Sequence, residues 1–245
     1  MKLLKFLIGF LVGLYFWLNL GALASPQTSI LYDAFQKEET IGNSSPRWLV
    51  YTNTGGKQSW QNSPPGTSLD TLRELSIMDG FTNYAELANT NPDFPPLDRT
   101  TGFKLSFRLA IEQEKHLRPE RAGFSVILLS NDVGKTKTTS VEIGFQKDRI
   151  FLQNDQPLFG LQAAQETTNF NPVGVGAVDY EITVQNSNYT LAANRKTLLE
   201  GKLRDYSNFV GLLNPYNLPN FIFFGDDTTS AGAKILLEKI SLQIL

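Results

Sequence analysis

From about residue 100 to the C-terminus the chain is a succession of short apolar or alternating runs separated by Gly, Asn, Asp and Pro, and helical periodicity is almost absent. In Phe103-Lys104-Leu105-Ser106-Phe107-Arg108-Leu109 the apolar side chains fall on one face and the polar ones on the other, so one face is buried and one is wet. Strands are expected at Phe103 to Ile111, Gly123 to Ser130, Thr139 to Gln146, Arg149 to Asn154 and Tyr180 to Gln185. Others are expected at Tyr189 to Ala193, Lys196 to Lys202, Asn220 to Phe224 and Ala233 to Ile244. The short links Gln146-Lys147-Asp148, Asn186-Ser187-Asn188 and Ala193-Asn194-Arg195 read as hairpin turns, with Asn tolerating a positive φ.

The first hundred residues are less ordered as text. Trp48 to Thr52 reads as a strand, Gly55 to Gly66 as a polar loop carrying Pro64 and Pro65, and Leu69 to Leu75 fits helix or strand. Asn91-Pro92-Asp93-Phe94-Pro95-Pro96 is too proline-dense for regular structure. Neither half alone has enough strands to close a core, which favours a single all-β domain, an antiparallel two-sheet β-sandwich, over residues 25–245. No repeat, heptad run or low-complexity tract suggests a propeller or solenoid.

Residues 1–24 have the three parts of a secretory signal peptide: Lys2 and Lys5, an apolar run from Phe6 to Leu18, and Ala22-Leu23-Ala24 before Ser25. Asn19 interrupts the run short of the roughly 20 residues a spanning helix needs. Cleavage there removes two lysines and no acid, leaving 20 basic against 24 acidic side chains and a formal charge of −4. Nucleic acid is therefore not an expected partner. No later segment is long and apolar enough to cross a membrane as a helix, so the mature chain is expected to be secreted, periplasmic or held at the cell surface. The absence of cysteine excludes disulfides, cysteine-ligated metal and a cysteine nucleophile.

The segment from Asn220-Phe221-Ile222-Phe223-Phe224-Gly225-Asp226-Asp227 through Ile235, Leu237, Ile240 and Leu242 resembles the closing hairpin of concanavalin A-like and laminin G-like jelly rolls, with a phase change at Glu238 and Lys239 that a bulge would give. Arg121 to Ser130 and Val141 to Phe145 are similar to the middle strands of exported bacterial, especially cyanobacterial, domains of that superfamily. Some of those carry varied C-terminal sorting anchors; nothing of the kind is read after Leu245. The resemblance implies two curved sheets, often with a calcium ion near the rim, among sugar binders, adhesive modules and glycan-cleaving enzymes. It argues fold rather than chemistry.

Jelly-roll glucanases place acids at alternating positions of one strand, and no such Glu-x-Asp-x-x-Glu strand is present. Glu112 with Glu114, and Glu38 with Glu39, read as solvated loop charge, and the sole histidine, His116, as part of a charged connection. Calcium takes hard oxygen ligands, and Asp226 and Asp227 offer them on a tight loop, with Asp205 approaching from another segment. An ordinary Asx-turn is the alternative there. Sugar binding calls for an aromatic face beside amides or carboxylates; Trp60, and Tyr216 with Asn217, offer that mixture, against core packing for Trp60. Arg121 reads as a structural arginine paired with an acid, and Phe151, Phe159, Phe170, Phe209 and Phe221 to Phe224 as core.

Three functions fit: a non-catalytic module that recognises a glycan or another surface component, with structural calcium; a jelly-roll glycan-cleaving enzyme; or a structural matrix protein. Acids clustered with tyrosine on the concave sheet favour the enzyme, and an apolar or featureless concavity the structural protein.

Overall fold

The computed structural model describes residues 27–53, 57–86, 89–160, 166–211 and 214–245; the signal peptide expected over residues 1–24 lies outside the described residues. Seven strands precede residue 100: β1 (Thr28–Asp33), β2 (Leu49–Thr52), β3 (Lys57–Asn62), β4 (Pro65–Asp70), β5 (Asp79–Thr82), β6 (Tyr84–Glu86) and β7 (Asn89–Thr90). They are followed by β8 (Phe103–His116), β9 (Phe124–Leu129), β10 (Ser140–Phe145), β11 (Ile150–Leu152) and β12 (Thr167–Thr168). The last five are β13 (Val178–Gln185), β14 (Asn188–Ala193), β15 (Lys196–Lys202), β16 (Phe221–Asp226) and β17 (Ala231–Ile244). The larger sheet has the order β15-β14-β13-β8-β17-β4-β3, with β1 also on β17, and the smaller the order β12-β11-β10-β9-β16-β5-β2; β6 and β7 form a small ribbon. The main strands pair antiparallel, and the expected two-sheet jelly-roll sandwich is borne out.

Alternation decides the core. From β8, Phe103, Leu105, Phe107, Leu109 and Ile111 face inward and meet Phe124, Val126 and Leu128 of β9 with Ile222 and Phe224 of β16. Phe107 lies 5.2 Å from both Tyr180 and Phe224, tying the sheets at mid-height. The phase change foreseen at Glu238 and Lys239 is a register shift between Leu237 and Lys239, which returns Ile240 and Leu242 to the core face. Asn186 (φ 54°), Asn194 (φ 48°) and Arg195 (φ 68°) take the left-handed conformations foreseen for the hairpins.

Three local expectations are corrected. The polar stretch Gly55 to Gly66 contains β3 and the start of β4, held by pairing to each other and to β17. Leu69 to Leu75 is neither helix nor a continuous strand, since β4 ends at Asp70. Glu112, Glu114 and His116 belong to β8 rather than to a loop, because β17 continues beside them and pairs Ala231 with His116. The buried Glu114 carboxylate accepts the Gly123 and Lys147 amides at 3.3 and 2.8 Å and lies 3.0 Å from His116 Nδ1, so this pair locks a strand end.

Candidate functional site

Strands β9, β16 and β5 are buried on both faces, which a single sandwich core does not explain. On the outer face of the smaller sheet the side chains form cross-strand rows. One row runs Leu49, Thr82, Phe223, Ile127 and Glu142. Below it Phe221 pairs with Leu129, and Tyr84 meets the Phe221 ring edge-on at 5.3 Å. Above it the row is Tyr51, Gly80, Gly225, Ser125 and Gly144, nearly stripped of side chains. A Cβ at Gly80 would sit 2.6 Å from Phe223 Cζ, so glycine there lets that ring lie down on the sheet.

Loops build the opposite wall. Asn214 caps the short turn Pro215–Asn217 by accepting the Tyr216 amide at 3.0 Å and anchors it to the Phe209 carbonyl at 2.8 Å, which turns Tyr216 inward. Tyr216 packs 5.1 Å from Tyr206, 5.3 Å from Phe209 and 5.5 Å from Phe159. The space between wall and sheet is a cleft of about 730 Å³, lined mainly by apolar and aromatic side chains and closed at one end by Arg118, Arg121, Asp227 and Thr228 to Ser230. Phe159, Phe209, Phe221 and Phe223, expected in the core, belong instead to this second cluster; Phe224 is core as expected.

The polar end is electrostatically coupled. Tyr216 donates its O–H to Glu142 Oε2 at 2.5 Å, and the two side chains are buried together, at 4% and 3% exposure. Burial, with the charge of Asp227 adding to it, pushes the Glu142 carboxyl up to about 8, against the pull of Tyr216 and Arg121. Burial also raises Asp227, with Arg121 and Ser125 pulling the other way. Arg121 stacks over the Phe159 ring at 5.2 Å; the acid expected to pair with it is not in direct ion contact among the described residues, and its charge acts instead at longer range on Asp227 and Glu142. In the floor, Thr82 Oγ1 is buried with no hydrogen-bond partner among the described residues. Such a group either carries a desolvation cost or is completed by something that binds.

Of the residues foreseen for sugar, Tyr216 lines the cleft and Asn217 is exposed beside it. Trp60 lies elsewhere, on the margin strand β3 of the larger sheet, partly buried against the core with its indole N–H on Asn62. The calcium ligands do not assemble. Asp226, at the end of β16, turns between the sheets opposite Asp79, whereas Asp227 turns outward into the cleft, because successive residues of extended chain face opposite sides. Asp205 sits in another loop, its carboxylate accepting the Ser207 amide and its amide donating to Asp155. Among the described residues no three acids or histidines gather closely enough to hold a metal ion.

A second groove, of about 510 Å³, crosses the outer face of the larger sheet. Arg108 at its centre is already matched, meeting Asp179 at 3.1 Å and Glu238 at 2.8 Å, which leaves less for a ligand to gain. Among the described residues no helix is long and apolar enough to cross a membrane.

No protein-family model matches the chain, and no curated protein matches it. Among solved structures, it is similar to the conserved carbohydrate esterase of Shiga toxin-encoding bacteriophage phi24B, at 10% identity and a TM-score of 0.59, over 89% of this chain and 99% of that one. A sialidase matches at 12% identity and a TM-score of 0.50, over 87% of this chain and 18% of the sialidase. Domain 4 of an extracellular arabinanase from Geobacillus stearothermophilus, in complex with arabinotriose, matches at 11% identity and a TM-score of 0.49, over 89% and 93% of the two chains. At these identities the likeness is one of fold.

Proposed function

We propose that this protein is an exported recognition module that binds a glycan in the cleft on the outer face of the smaller sheet. The observation that carries the reading is the cleft itself: a space of about 730 Å³ in which aromatic rings stand beside Arg121, Asp227 and the hydroxyls of Thr228 to Ser230. A sugar stacks its C–H face on such rings and hydrogen-bonds at its edge. The Thr82 hydroxyl in the floor, without a partner among the described residues, adds a polar atom for a ligand to meet. The fold neighbour described as a carbohydrate esterase supports the choice of ligand class.

Glu142 with Asp227 and Tyr216 is the acid cluster that favours a glycan-cleaving enzyme, and Glu142 held protonated near neutral pH is the form of a general acid. Glu142 does not line the cleft and is already engaged by the Tyr216 hydroxyl, which favours recognition.

One experiment separates these readings: depletion of the purified protein by a panel of insoluble polysaccharides, with reducing ends assayed in the supernatant. One polymer is expected to deplete the wild type, and Phe209→Ala to weaken that binding about tenfold while leaving the fold intact, since truncating a central aromatic contact costs over about 1 kcal/mol. Reducing-end release that Asp227→Asn abolishes establishes the enzyme instead. Depletion by no polymer, together with no binding of soluble glycosides, contradicts both readings.

A further inference from the structure

We propose that the ligand of this cleft is an amphiphilic glycoside: a sugar head joined through oxygen to an alkyl, acyl or aryl group. The proposal rests on the glycan reading of the same site and goes further by naming what the sugar carries.

The cross-strand rows grade along the strand direction. At one end Phe221, Tyr84 and Leu218 offer a mainly apolar surface, the Tyr84 hydroxyl being already engaged by the Pro219 carbonyl at 3.0 Å, and the next row adds Leu49, Ile127 and Phe223. The glycine row follows, and beyond it lie Asp227, Arg121 and the hydroxyls of Thr228 to Ser230. A free oligosaccharide presents hydroxyls along its whole length, and those set over the Phe221 end would lose water with little to replace it. An apolar substituent there gains by leaving water, while the sugar head finds its donors and acceptors at the Arg121 end.

Thr82 fixes the joint. Its Oγ1, on a residue 6% exposed, stands in the row between the two ends and has no partner among the described residues. A linking ether or ester oxygen placed over that row accepts from it, whereas an all-carbon ligand leaves it unsatisfied.

The test is calorimetric titration of the purified protein with methyl, hexyl and octyl β-glucosides and β-galactosides below their micelle concentrations, beside octanol and the octyl thioglycosides. Affinity is expected to rise with chain length, the octyl glycoside binding at least about tenfold more tightly than the methyl one, because each buried methylene adds several-fold. Phe221→Ala is expected to remove much of that gain. Sulfur in place of the linking oxygen is expected to weaken binding several-fold, and Thr82→Val to level the oxygen and sulfur ligands without unfolding the protein, since the hydroxyl it deletes has no partner among the described residues.

If polysaccharide binds while chain length adds nothing, the amphiphile is overturned and the glycan reading stands. If octanol binds as well as octyl glycoside, the sugar head is superfluous and both fall. Both also fall if neither glycosides nor polysaccharides bind.

Discussion

Trp48→Ala is expected to lower the stability of the fold by roughly 3–5 kcal/mol, the range for truncating a large buried aromatic side chain. Trp48 is fully enclosed, edge-on to Phe94 at 4.9 Å and to Phe224 at 5.9 Å. Its indole N–H donates to the Leu31 carbonyl at 3.1 Å. Leu31 sits where the pairing of β1 with β17 shifts register between Ile30 and Tyr32, and the indole N–H supplies its carbonyl with a partner at that irregularity. Alanine therefore opens a cavity and strands a buried acceptor together. Trp60→Ala, on a margin strand and only partly buried, is expected to cost about 1 kcal/mol and leave the cleft unchanged. Urea unfolding of the two variants checks the contrast; a Trp48→Ala midpoint close to wild type would show that the N-terminal third does not close the core as described.

The second large effect is a pH dependence of unusual sign. Asp226 is enclosed between the sheets, its Oδ1 accepting the Thr228 amide and its Oδ2 without a partner among the described residues. Burial pushes its carboxyl from 3.8 to about 9. The folded chain therefore keeps a proton that the unfolded chain releases, and stability falls as pH rises between about 4 and 9, the reverse of a salt-bridged carboxylate. Glu142, raised to about 8, adds in the same direction over its own window. Asp226→Asn removes one of these terms. Its advantage in melting temperature over wild type is expected to grow from pH 4 to pH 9, reaching on the order of a few kcal/mol in stability. A difference that stays constant across that range would mean that Asp226 is ionised in the folded protein at neutral pH.

These two positions also mark where the sequence is readable. Amphipathic strands declare themselves: β8 and β13 bury every second residue, and the bulge in β17 is visible as a break in that rhythm. Strands β3 and β4 do not, because Lys57-Gln58-Ser59-Trp60-Gln61-Asn62 is held by ladder pairing at a sheet margin rather than by an apolar face. Glu114 and His116 looked solvated for a related reason, since local text does not reveal the partner strand that extends beside them. The cleft left a signal of a different kind. Phe221-Ile222-Phe223-Phe224 and Val126-Ile127-Leu128-Leu129 have no polar face, so in a two-sheet sandwich their outer sides need a second cover. What runs of this sort cannot reveal is which of two adjacent phenylalanines faces which side, nor that Glu142 and Tyr216, from distant segments, meet there.

The most direct test of the central claim is a map of backbone amide shifts on addition of the oligosaccharide released from whichever polymer the protein binds. Shifts confined to Arg118–Arg121, the outer rows of β5, β9 and β16, and Asp227–Ser230 are the predicted result. Shifts centred instead on Arg108, Asp179, Glu181 and Lys239, across the groove of the larger sheet, would place recognition on the opposite face and contradict the account.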